Sequence, residues 1–144
     1  MEMNISARPS LSAAVALLES ASLPTGDLTA EHCEHFFFSG PASHPTGMVG
    51  LELYGDVALL RSLVVASDRR GMGEGSALLE HAEQHALGNG VRTLYLLTTT
   101  AERFFATHGY RHAPRDSAPG AIRATREFSS ICPASSAFMM RDLR

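Results

Sequence analysis

Arg70-Gly71-Met72-Gly73-Glu74-Gly75 places a guanidinium and three glycines directly ahead of an amphipathic stretch. A helix starting there offers unpaired N–H groups and about half a positive charge, which together attract an anion. Glycine lets the backbone approach that anion with no Cβ between. A pyrophosphate suits the device, with Arg69 or Arg70 adding a permanent cation. Glu74 sets a carboxylate beside the anion, so it is expected to point outward. A dinucleotide loop wants G-x-G-x-x-G and an acidic residue about 20 positions later; the spacing here is Gly71, Gly73, Gly75. The bland alternative is a glycine-rich strand-to-helix turn that holds nothing.

Arginine is the other reactive theme. All 12 basic residues are arginines and lysine is absent. That removes lysine Schiff bases and the phosphate-binding lysine of a Walker loop. Arg61 interrupts an apolar run, and Arg111, Arg115, Arg123 and Arg126 cluster near the end with one acid between them, Asp116. Such guanidiniums suit bidentate carboxylate or phosphinate binding, and Arg61, Arg115 and Arg123 are the substrate candidates. The alternatives are a solvated face for the tail cluster and, for Arg61, an ion pair with Glu52 or Asp56. No metal site is expected. His81 and His85 flank Glu83 without forming H-E-x-x-H. His32, Cys33 and His35 are close in sequence only, and Cys33 and Cys132 form no C-x-x-C pair.

These residues need elements to hold them. The 144 residues, 44% apolar and 19% charged, build one domain around one core. A net charge of -3 argues against a nucleic-acid partner. No apolar run approaches the roughly 20 residues of a membrane helix, and the first residues carry no apolar signal core. A cytoplasmic location is expected. Strands are expected near residues 4–7, 48–54, 57–65, 91–98, 110–113 and 137–141, with Gly55-Asp56 as a hairpin turn. Phe36-Phe37-Phe38 reads as a short buried strand or a helix end. Helices are expected from Ser10, over 76–87, over 101–108 and around 125–131. Strand and helix alternate in the second half, which makes an α/β fold.

Arg70-x-x-Gly73-x-Gly75, after Leu63-Val64-Val65 and before Leu78-Leu79, resembles the acyl-CoA motif of GNAT N-acetyltransferases. Ala101-x-x-Phe104-Phe105-x-x-x-Gly109-Tyr110, after a leucine-rich strand, resembles the unit that follows in that family. A narrower resemblance, to arsenic-resistance N-acetyltransferases, rests on residues 51–63, 94–101 and 118–128 with Cys132-Pro133. It implies a central twisted mixed sheet flanked by helices, acetyl-CoA as co-substrate and a small amine acceptor. The narrower subgroup suggests a glutamate-like herbicide or arsenical. Dimers are frequent in the family.

Carried onto this chain, the resemblance makes Leu63, Val64 and Val65 the backbone that pairs with pantetheine. Arg70, Gly71, Met72, Gly73, Gly75 and Ser76 would hold the pyrophosphate, and Phe104 and Phe105 would pack on the arm. An alkylammonium must lose a proton before it attacks a thioester. Glu52 is the first candidate base, with His112 and Glu127 behind it. The tyrosine that usually protonates the departing thiolate is replaced by Phe105. Tyr110, or Tyr95, is the substitute acid, or the thiolate leaves unassisted. Two rivals remain: a catalytically silent acyl-CoA sensor, and an arsenical binder using Cys33 and Cys132.

Overall fold

The computed structural model describes residues 4–23, 25–131 and 136–143. Seven strands form one mixed sheet: β1 (Ile5–Ala7), β2 (Phe36–Ser39), β3 (Gly47–Tyr54), β4 (Val57–Val65), β5 (Thr93–Thr98), β6 (Arg111–His112) and β7 (Ala137–Asp142), in spatial order β1-β2-β3-β4-β5-β7-β6. Among the described residues only the β4–β5 pair is parallel, because a helix crosses between them. That helix, α2 (Glu74–Gly88), covers one face with α3 (Glu102–Thr107). The other face carries α1 (Leu11–Ser20) and the one-turn α4 (Gly120–Arg123). Leu78, Leu79, Ala82 and Ala86 of α2 pack on Val49, Leu51, Ala58 and Leu60. Ala14, Leu17 and Leu18 of α1 pack on Phe36, Met48 and Val64 across the sheet. No helix among the described residues is long and apolar enough to cross a membrane.

The expected elements are present with shifted ends. The α2 helix starts at Glu74, two residues before the expected start at Ser76. Phe36-Phe37-Phe38 is a strand, pairing with β3 at Gly50, Val49 and Met48. Gly50 has no substitute here, since a Cβ would overlap the Phe36 ring. The expected helix near 125–131 is a π-helical turn, Glu127–Ile131. The turns before it include α4, four residues long and too short for a periodic pattern to reveal.

Two irregularities in β4 shape the centre of the sheet. Three β4 steps, Arg61 to Val64, face two β3 steps, Gly50 to Met48, so β4 carries a bulge. Ser62 sits in it at φ 60, the left-handed region. One extra residue swaps the faces of all that follow. Ala58 and Leu60 face α2, and after the bulge so do Leu63 and Val65. The second irregularity is that β4 pairs with β5 only from Val57/Thr93 to Leu59/Tyr95. Beyond Leu59 the strands part, leaving main-chain groups of both facing a gap.

Candidate active site

The gap opens into a cavity of about 350 Å³. Leu60, Arg61, Ser62 and Leu63 of β4 form one wall and Leu96, Leu97 and Thr98 of β5 the other. Ala101 and Phe105 close one end; Ser22, Leu23, Glu127 and Ser136 contribute from the loops. The wall is apolar apart from several hydroxyls and two charges, Arg61 and Glu127.

The glycine loop lies at the exit of β4. Gly71 and Gly73 adopt φ 83 and 80, and Gly73 is the cap residue of α2 with no side-chain cap bond. The N–H groups of the first helical turn therefore have no partner within the helix. Gly75 lies under the Phe104 ring and Val65, where an added Cβ would sit 3.6 and 3.7 Å from them. Met72 is exposed. Ser76 Oγ is 2.9 Å from His108 Nε2, which ties α3 to the first turn of α2. Arg70 donates through Nε to the Val65 carbonyl at 3.2 Å. Val65 and Phe104 thus lie beside Gly75, Leu63 and Phe105 line the cavity, and Val64 faces α1.

Glu74 corrects one expectation: it points inward. It is 2% exposed. Ser39 and Thr46 hydroxyls donate to Oε2 at 2.6 and 2.7 Å, and Arg69 Nε donates to Oε1 at 3.2 Å. The positive φ of Gly73 turns the chain so that the first helical side chain enters the fold. Burial raises the Glu74 carboxyl, but the two hydroxyls and Arg69 outweigh it, so its pKa lies below the ordinary value. Asp27 is also lowered: burial raises it, and the bond and charge of Arg61 more than reverse that. A depressed folded-state pKa gives stability that is present above the unfolded value and lost as pH falls through the folded one. Both groups should make the protein acid-labile from about pH 4 downward. Melting curves between pH 3 and 8 should show a plateau above pH 5, and Thr46→Val should lower the plateau while shrinking the acid drop. A melting temperature flat to pH 3 would contradict both assignments.

Arg61 is the second correction. It is 4% exposed and surrounded by carboxylates. Its Nη1 and Nη2 donate to Asp27 Oδ2 and Oδ1 at 2.5 and 2.9 Å. Nη1 also donates to Glu52 Oε2 at 2.8 Å, and Nε lies 3.3 Å from Glu127 Oε1. Its pKa is raised: burial lowers it, but the carboxylates prevail. A guanidinium so engaged does not grip a substrate acid. The ion pair with Glu52 is present, and Asp56 is not in it. Asp27, His32 and Glu52 offer donor atoms within 4.8 Å of one another, a metal-like set. Arg61 already supplies the cation there.

The acid and base candidates separate in space. Tyr110 is 3% exposed, and its hydroxyl donates to Glu83 Oε2 at 2.9 Å, where Arg141 also binds. Burial first, then Glu83, pushes its pKa up. Tyr110 is not among the cavity's lining residues, so the structure does not bring it to a leaving thiolate. Tyr95 stacks on Phe138 in the α4-side core. Glu52 does not line the cavity: Oε1 accepts from Tyr54 Oη at 2.5 Å and Oε2 from Arg61. His112 is exposed and pairs with Glu102. Glu127 lines the cavity.

Of the tail arginines, Arg115 donates to the Ser136 carbonyl at 2.9 Å and lies over the Phe128 ring. Arg123 is exposed on α4. Cys33 is buried in the α1-side core, and burial raises its thiol; Cys132 lies outside the described residues. Sequence reasoning missed Asp27, the principal partner of Arg61. Asp27 lies 34 positions from Arg61, and nothing local marks the pair.

The acetyltransferase (GNAT) family model matches residues 11–112. An amino-acid acetyltransferase of Ralstonia nicotianae is 40% identical over 63 residues, which are 44% of this chain and 14% of that protein. N-acetylglutamate synthase from Neisseria gonorrhoeae, solved with coenzyme A and N-acetyl-glutamate, superposes with TM-score 0.83 at 21% identity, over 100% of this chain and 36% of that one. Rv2747 from Mycobacterium tuberculosis, solved with CoA and NLQ, gives TM-score 0.78 at 17% identity, over 98% and 99% of the two chains. The chain therefore spans only a fraction of the first two relatives, but nearly all of the third. With the family model covering most of its length, the chain belongs to the GNAT acetyltransferase family.

Proposed function

We propose that the chain transfers an acetyl group from acetyl-CoA to the amine of a small amino-acid-like acceptor. The parting of β4 and β5 beside an uncapped glycine-led helix carries this reading. The N–H groups of Gly71 to Ser76 bind the pyrophosphate, and the main chain of Leu63 to Val65 pairs with the pantetheine arm. One N–H of that segment polarises the thioester carbonyl. Phe104 and Phe105 exclude water from the arm.

The acceptor enters as an ammonium and gives one proton to a carboxylate. Glu127 is assigned that role in place of Glu52, because Glu127 lines the cavity and Glu52 does not. The neutral nitrogen then forms a bond to the carbonyl carbon, the C–S bond breaks, and the thiolate leaves with CoA. The nitrogen's second proton passes to the thiolate through solvent. A thiol pKa near 8.5 makes the thiolate a fair leaving group without a tyrosine. Glu127→Gln should lower kcat about 100-fold with the KM for acetyl-CoA unchanged. A kcat within twofold of the wild type would remove Glu127 from the chemistry.

The narrower reading, a glutamate-like herbicide or arsenical as acceptor, rests on the sequence strings shared with arsenic-resistance acetyltransferases. Arg61 is unavailable to the acceptor's acid group, which passes that role to Arg115 and Arg123. A second reading, the silent acyl-CoA sensor, is favoured by the absence of any tyrosine hydroxyl among the cavity's lining residues. Thiol release from acetyl-CoA separates them. The acceptors are phosphinothricin, arsinothricin, glutamate, other amino acids and polyamines. Acceptor-dependent release supports the enzyme; tight binding with no release supports the sensor.

A further inference from the structure

His108 stands where α3 ends, and both nitrogens of its imidazole are bonded. Nδ1 lies 2.8 Å from the Phe104 carbonyl oxygen and 3.2 Å from Thr107 Oγ1. A carbonyl only accepts, and the Thr107 hydroxyl already donates to the same oxygen at 2.7 Å. Nδ1 therefore carries a proton. In a neutral ring Nε2 is then an acceptor, and the Ser76 hydroxyl 2.9 Å away must donate to it. That bond spends the hydroxyl's one proton on the imidazole. Only lone pairs are left to face anything else.

Ser76 is the third residue of α2 and half-buried. It follows Gly75, which lies under Phe104, and the His108 ring packs on Phe104 with centroids 4.4 Å apart. The pair thus adjoins the turn assigned above to the diphosphate. Phosphate oxygens are acceptors, so a hydroxyl that offers only lone pairs opposes them. Protonating His108 reverses the bond. Nδ1–H stays on the Phe104 carbonyl, Nε2–H donates to Ser76 Oγ, and the hydroxyl proton is free to turn to a phosphate oxygen. The charged groups around the ring are engaged elsewhere or exposed. On α2, Glu74 is held by Ser39, Thr46 and Arg69, and Glu80 is exposed. On α3, Glu102 pairs with His112, and Arg103 is exposed. Arg141 of β7, beside Gly109, pairs with Glu83.

We propose that His108 is a positioning residue for acetyl-CoA: its protonated imidazole turns the Ser76 hydroxyl toward the diphosphate, so that binding takes up one proton. This rests on the reading of the glycine loop as the acyl-CoA site. Imidazole is the side chain that changes charge between about pH 5 and 8. A ligand that prefers the protonated form binds more tightly as pH falls through that range. The imidazolium also adds a positive charge near the diphosphate.

The test measures the Kd of 3′-dephospho-CoA by calorimetry between pH 5.5 and 8. This probe keeps the diphosphate but lacks the phosphate monoester, whose own proton leaves near pH 6. In the wild type the Kd should fall about tenfold from pH 8 to pH 5.5, the low end of a hydrogen bond to a charged group. Ser76→Ala should weaken binding several-fold at pH 5.5 and less at pH 8, so that most of the dependence disappears. His108→Ala should bind at pH 8 as tightly as the wild type or more tightly, because the hydroxyl proton is released, and its Kd should not vary with pH. A wild-type Kd that is flat across the range overturns the proposal, and so does a pH dependence that both variants keep. Weaker binding by His108→Ala at pH 8 overturns it too, because the ring then only holds the fold. Ser76→Ala decides alone where His108→Ala does not fold. Absence of binding by the wild type at every pH instead sinks the acyl-CoA reading itself.

Discussion

Arg61→Ala should lower the melting temperature by about 10 °C or more at neutral pH, the largest loss of any single substitution considered. The side chain is buried among Asp27, Glu52 and Glu127. Removing it takes away the guanidinium that Asp27, Glu52 and Glu127 share. Breaking a buried pair by removing one partner costs about 3–5 kcal/mol. Spread over a chain of this size, that corresponds to a shift of the stated order. The cause can be separated from lost packing. The variant's carboxylates become easier to protonate, so the gap to the wild type should narrow as pH falls. A gap independent of pH between 4 and 8 would assign the loss to packing. A shift under 3 °C would return Arg61 to the list of residues free to meet a substrate.

Gly73→Asp should weaken acetyl-CoA binding about 100-fold, while Gly73→Asn weakens it less than tenfold. Gly73 has φ 80 and open space around it, so a side chain fits but must tolerate the left-handed region. Asparagine and aspartate both tolerate that region better than other residues. The two variants therefore carry similar backbone strain and differ in charge. A carboxylate about 5 Å from a diphosphate repels it by about 3 kcal/mol at an effective dielectric of 20. The effect should shrink in high salt. Equal binding by both variants would mean that no anion sits at this turn.

The glycine loop and the order of strands and helices were legible because they are local. A period of two or of 3.6 residues and a turn glycine are written in adjacent positions. The bulge at Ser62 was not legible, since nothing in Arg61-Ser62-Leu63 distinguishes it from a regular strand. It nonetheless decides that Leu63 and Val65 face α2. The inward turn of Glu74 follows from the left-handed Gly73, and a reading based on charge alone placed that carboxylate on the wrong side. Arg61 was recognised as unusual, but its principal partner lies on a distant loop. Tyr110 has the chemistry of a substitute acid but not the position. Its ring packs 5.6 Å from that of Phe105, but only Phe105 lines the cavity.

Hydrogen exchange with and without CoA tests most directly whether the parted strands and the glycine loop form the acyl-CoA site. First-turn amides of α2 have no partner within the helix and should exchange fast in the free protein. Binding CoA should slow exchange at residues 63–65 and 71–76 together, with little change in β1 and β2. Protection confined to other segments, or none at saturating CoA, would contradict the account.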